Sequence, residues 1–147
     1  MTQRTPEMRS IVVEREMAHP PEKIWKALTT SHFIKEWLME NDFELSVGHK
    51  FNFRAKPMYG WNGVTDCEVL EIIPNEKLSY SWNASGEQAE DGLKTVVTWT
   101  LTPTAKGTHV LMEQSGFRPQ DEGGYQAMRG GWPRIIAKLE DITGAHS

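Results

Sequence analysis

The chain contains a single cysteine, Cys67, so it has no internal disulfide, and the disulfide-built secreted domains are excluded as a class. No stretch approaches the roughly 20 apolar residues of a membrane-crossing helix. The opening residues, Met1-Thr2-Gln3-Arg4-Thr5-Pro6, carry no apolar signal segment. The expected location is the cytoplasm. A basic excess is lacking too: 16 Lys plus Arg stand against 20 Asp plus Glu, a formal charge of −4, which argues against general nucleic-acid binding. The five histidines, His19, His32, His49, His109 and His146, show no metal-ligand pairing, and one cysteine cannot build a cysteine-based zinc site. Gly123-Gly124 and Gly130-Gly131 lack the spacing of a phosphate-binding loop. No cofactor, metal or catalytic residue is expected.

What the chain has in quantity is aromatic residues. Six Trp, three Tyr and five Phe make up 10% of its 147 residues. Aromatic side chains bring large apolar area with few rotatable bonds, suiting a thick core or the wall of an apolar pocket. The length fits one domain, expected over residues 11–144, with flexible termini at 1–10 and 145–147.

Residues 11–17 read as a strand with β-branched entry. Pro20-Pro21-Glu22 announces a helix, because proline is tolerated in the first turn and glutamate meets the positive end of the helix dipole. Ile24, Trp25 and Leu28 give that helix an apolar face, and Thr29-Thr30-Ser31 interrupts it and caps a second short helix carrying Phe33, Ile34, Trp37 and Leu38. From Asp42 the period changes to two: Phe51 and Phe53, residues 64–73, then Leu78, Tyr80 and Trp82, then Val97, Trp99 and Leu101, then Val110, Met112 and Gln114. Short turns between such strands imply an antiparallel meander. Residues 125–143 return to helical spacing, with Tyr125, Met128, Trp132, Ile135 or Ile136, and Leu139 on one side. Pro133 predicts a kink or a fresh helix start near Trp132.

This is the α+β class: a curved antiparallel sheet of six or seven strands with a long C-terminal helix and two short helices after the first strand. If the sheet bends strongly, an elongated apolar cavity remains between sheet and helix. Several motifs in order carry a resemblance. They are Pro20-Pro21-Glu22-Lys23-Ile24-Trp25-Lys26-Ala27-Leu28-Thr29, Trp37, the run Glu68-Val69-Leu70-Glu71-Ile72-Ile73-Pro74-Asn75-Glu76-Lys77-Leu78, and Tyr80 with Trp82. Val97-Thr98-Trp99-Thr100-Leu101, Gly107-Thr108, Glu113-Gln114-Ser115-Gly116-Phe117 and Gly131-Trp132 extend it. Together they resemble the bacterial proteins similar to the activator of the heat-shock protein 90 ATPase, within the START-related (SRPBCC) superfamily of the birch pollen allergen and polyketide cyclases. The resemblance implies a helix-grip fold around a hydrophobic cavity. Members often carry histidine where this chain has Gln114, and an amide hydrogen-bonds without exchanging protons near neutrality.

The candidate ligand-binding set follows from the alternation. Phe51, Phe53, Trp82, Trp99, Met112 and Gln114 share the concave face, with Trp37, Met58, Trp61, Phe117, Trp132 and Ile136 closing it. Trp132, between Gly131 and Pro133, reads as the gate. Glu68 and Glu71 stand three residues apart on one strand, which puts them on opposite faces unless a bulge intervenes, so one of them is the carboxylate with a path toward the cavity. Lys50, Arg54 and Lys56 form a basic strand face. The expected function is non-enzymatic binding of a small hydrophobic or aromatic molecule, lipid- or polyketide/flavonoid-like. The resemblance also implies an alternative, a chaperone-associated interaction module, and a less favoured third, a cyclase or hydrolase.

Overall fold

The computed structural model describes residues 8–57, 62–86 and 90–145. Seven strands are β1 (Arg9–Met17), β2 (Glu40–Asn41), β3 (Lys50–Arg54), β4 (Val64–Ile73), β5 (Lys77–Ala84), β6 (Lys94–Pro103) and β7 (Thr108–Phe117). They form one open, curved antiparallel sheet in the order β1-β7-β6-β5-β4-β3-β2. Two short helices, α1 (Pro21–Thr29) and α2 (Ser31–Trp37), follow β1, and a long helix, α3 (Glu122–Ala145), ends the chain. The α+β architecture predicted from the alternation is the one found.

Register aligns the apolar positions into rows across the sheet. Ile11, Gln114, Val97 and Tyr80 are successive cross-strand partners, as are Val13, Met112, Trp99 and Leu78. Because side chains alternate faces, each row lies wholly on one side. The concave side is buried against the helices, while the next residue along most strands is more exposed, the buried Ser79 of β5 being an exception.

Each helix offers its apolar stripe to that face. Pro21 and Glu22 occupy the first turn of α1, and Ile24, Trp25, Ala27 and Leu28 are buried. Thr30 separates α1 from α2, yet neither helix receives a side-chain cap. Thr29 turns its hydroxyl back to the Trp25 carbonyl at 2.7 Å. The Trp37 indole instead ties α2 to α1 by donating to the Ala27 carbonyl at 2.9 Å.

On α3 the buried positions Trp132, Ile136, Leu139 and Thr143 recur at helical spacing. The helix runs unbroken through Pro133, which corrects the expected fresh start near Trp132. Pro133 and Arg129 both lie on the exposed side, so the carbonyl deprived of a partner faces water rather than the core. A 3₁₀ turn at Pro119–Asp121 precedes α3. Arg118 clamps it, donating to both Asp121 oxygens (2.8 and 2.9 Å) and to the Asp91 and Gly92 carbonyls (3.0 and 2.8 Å). Arg9 to Glu122 and Arg15 to Glu140 pin the two ends of α3 to β1. Among the described residues no helix is long and apolar enough to cross a membrane.

Candidate functional site

The space between the sheet and α3 is filled by a chain of rings. Trp37 meets Trp99 edge-on at 5.6 Å between centroids, and Trp99 meets Trp132 at 5.9 Å and 77°. Trp132 leans on Trp82 at 5.5 Å, Trp82 on Phe53 at 5.1 Å, and Phe53 on Phe51 at 5.3 Å. Phe43 and Tyr80 close on Phe51 at 5.3 and 5.7 Å. Tilted and edge-to-face arrangements are those the ring quadrupole favours, adding about 0.5–1.5 kcal/mol per pair beyond burial.

Polar groups inside this stack are partnered. Gln114 is 0% exposed and bridges helix to sheet. Its Oε1 accepts from the Trp132 indole at 2.8 Å, and its Nε2 donates to Thr95 Oγ1 at 2.9 Å. Thr95 passes the chain on to the Trp82 carbonyl at 2.7 Å. The Trp99 indole donates to the Tyr80 hydroxyl at 3.0 Å. Burial pushes the Tyr80 phenol well above its ordinary pKa, so it stays a neutral hydroxyl. Burial, with Asp66 and Asp42 nearby, likewise raises the Cys67 thiol, which acts as a small apolar group rather than a nucleophile.

The structure brings together ten of the candidate residues: Trp37, Phe51, Phe53, Trp82, Trp99, Met112, Gln114, Phe117, Trp132 and Ile136 are all buried. Phe117 stands somewhat apart, against Tyr125 at the start of α3 (5.2 Å). Met58 and Trp61 lie outside the described residues. Tyr80, Phe43 and Thr95 also belong to the chamber. Tyr80 was signalled by its place between Leu78 and Trp82, and Thr95 by its place two residues before Val97. Phe43 carried no periodic signal.

In the described residues this is a packed chamber rather than an open one, and two shallow recesses lie at the surface. One, about 370 Å³, sits where the start of α1 meets the β6–β7 turn, around His19, Pro20 and Lys106. The other, about 330 Å³, lies between α2 and α3. A bulge is present in β4, as a register shift between Val69 and Glu71, and with it the two glutamates do not take opposite faces, so the carboxylate expected toward the cavity is not found. Glu71 is exposed and paired with Lys77 at 3.1 Å, and Glu68 alternates outward with Asp66. Of the basic strand face, Arg54 is tied to Asp42 at 3.5 Å. His109 points outward to Glu14 at 3.0 Å. No three His, Cys, Asp or Glu among the described residues are grouped to hold a metal ion.

The family model described as Activator of Hsp90 ATPase homolog 1-like protein matches residues 18–144. No curated protein matches the chain in sequence. Among solved structures, a Mesorhizobium loti protein is 51% identical with a TM-score of 0.86, the match covering 95% of this chain and 99% of that one. A Bacillus halodurans protein is 25% identical with a TM-score of 0.75, over 95% of this chain and 99% of that one. A protein of the dynemicin biosynthetic locus shares the fold at 21% identity and a TM-score of 0.72, over 90% of this chain and 46% of that one.

Proposed function

The chain belongs to the Activator of Hsp90 ATPase homolog 1-like family, and we propose that it is a non-enzymatic binding module. Its ligand is a small, flat, apolar molecule, lipid- or polyketide-like, held between the sheet and α3. The observation that carries this reading is the Gln114–Trp132 bond, a single polar link set among aromatic rings where helix meets sheet. A ligand carrying a hydroxyl can donate to Gln114 Oε1 in place of the indole while its body stacks on the rings. Mostly apolar walls with one or two orienting polar groups are what small-molecule sites show. Because the chamber is packed, the helix must first move, and the apparent affinity falls by the fraction of open molecules.

A panel of flavonoids, sterols and fatty acids tests this by tryptophan fluorescence and thermal denaturation. Saturable quenching with a raised melting temperature is expected, since a ligand bound only to the folded state stabilises it. A panel producing neither response refutes the reading. The packing itself favours a second reading, a chaperone-associated module in which an outer surface meets a partner ATPase and the rings are core. In that case the protein stimulates heat-shock protein 90 ATPase turnover, and the panel leaves the stimulation unchanged.

A further inference from the structure

The recess between α2 and α3 has a chemistry of its own. It is lined by Trp37, Leu38, Gly131, Arg134, Ile135 and Lys138. The floor is apolar, with Trp37 2% exposed and Leu38 and Ile135 half-buried. At Gly131 a Cβ would meet nothing within 4 Å, so the absent side chain leaves that wall open. A volume of about 330 Å³ falls at the lower end of small-molecule sites.

The rim is cationic. Arg134 and Lys138 are exposed and stand four residues apart on α3, so they share one face. Among the described residues neither pairs with a carboxylate; Lys26, Lys50, Lys56, Lys94, Lys106 and Arg129 have no such pair either, so what distinguishes Arg134 and Lys138 is their place together at the rim of an apolar recess. Like charges at this spacing destabilise a helix slightly unless an anion lies between them. In a chain of net charge −4, two unpaired cations over an apolar floor are a local reversal of sign with a definite complement.

We propose that this recess binds a small amphipathic carboxylate. The apolar body lies mainly on the half-buried Leu38 and Ile135, reaching Trp37 only at its edge, and the carboxylate sits between the Arg134 guanidinium, which can hold it bidentately, and the Lys138 ammonium. The site borders the ring chamber at Trp37 but does not require that chamber to open.

Isothermal titration of the intact protein with decanoate below its micelle concentration, and with decanol as the uncharged counterpart, tests the assignment. Decanoate binds more tightly than decanol, and its affinity falls as salt rises. Replacing both cations, Arg134→Gln with Lys138→Gln, weakens decanoate roughly tenfold, the sum of two partly exposed charge contacts. Gly131→Leu fills the recess and removes binding while the melting temperature holds or rises, because leucine is the better helix former. Three outcomes overturn the proposal: no decanoate binding to the wild type, equal affinity in the charge-neutralised variant, or binding retained in Gly131→Leu. The last would place the probe elsewhere, the ring chamber included, and would leave the chamber reading to its own panel.

Discussion

The Gln114–Trp132 link allows a sharp energetic test. Gln114→Leu keeps the side-chain size nearly constant, so it adds little cavity. It removes the acceptor of a wholly buried indole N–H, bonded at 2.8 Å. A buried donor left without a partner costs about 1–3 kcal/mol. Thr95 loses the donor that reached it at 2.9 Å but keeps its own bond to the Trp82 carbonyl, so its share is smaller. The expected loss is about 2 kcal/mol, or roughly 4–8 °C in melting temperature for a chain of this size. Trp132→Phe removes the orphan at its source. In that background the same Gln114→Leu change should cost under about 1 kcal/mol, giving a coupling of roughly 1–2 kcal/mol. Urea denaturation of the wild type, both single variants and the double variant closes the cycle, with equal slopes confirming a common unfolding transition. A coupling of zero would mean that the hydrogen bond contributes nothing and that the helix is held by ring packing alone.

Four further outcomes follow from particular contacts. The Arg118 hydrogen bonds hold the Asp121 carboxyl below its ordinary pKa, so its contribution is present above about pH 4 and is lost as pH falls through the folded value; Asp121→Asn should flatten the acid limb of a stability–pH curve. Cys67, buried and with its thiolate disfavoured, should react with a thiol reagent at the rate of opening rather than of chemistry, and full reactivity in native buffer would contradict its placement. Gly63 has φ +89° and its Cβ would stand 2.5 Å from the Ala55 carbonyl oxygen, so Gly63→Ala should lower stability by more than about 1 kcal/mol, measured by denaturant midpoint. In NMR hydrogen exchange the Trp132 indole proton should exchange faster than that of Trp99, whose partner Tyr80 lies on the neighbouring strand; equal protection would argue against independent movement of α3.

Much of this architecture is legible because period-two alternation is a local property. Phe51 with Phe53, Leu78 with Tyr80 and Trp82, and Val97 with Trp99 each announce one buried face, and short turns leave the antiparallel meander as the natural way to join them. What alternation does not report is how far a side chain reaches across the interior. The Trp132 indole finds Gln114 only because α3 crosses β7 at that height, a consequence of the whole fold. The two-residue β2 is equally silent in sequence: it is placed by Asn41, whose amide donates to the Ser31 and Met39 carbonyls. That no fresh helix starts at Pro133 was not legible for a related reason. The cost of a proline depends on whether the freed carbonyl meets water or core, and spacing alone assigned Trp132 to the core without placing Pro133 safely outside it.

The indole bonds also bear on how the chamber would open under the proposed function. Trp37, Trp99 and Trp132 each have their N–H satisfied by a named acceptor: the Ala27 carbonyl, the Tyr80 hydroxyl and the Gln114 amide. Rings fixed in this way are set in orientation as well as position, which is why the stack is specific rather than merely apolar. The first bond joins α2 to α1, and the second joins two neighbouring strands. Only the Trp132 bond spans the seam between α3 and the concave face of the sheet. Drawing α3 away therefore breaks one buried polar link in the stack, together with ring contacts, the buried packing of Ile136 and Leu139, the contacts of α3 with α1 and α2, and the edge ties of Arg9 and Arg15. Moving α2 from α1, or parting β5 from β6, would strand a different indole and disrupt a helix pair or a strand ladder as well. By this ordering α3 is the element that would yield if the proposed ligand enters, with the Arg118 clamp ahead of its first turn as the fixed end of the motion.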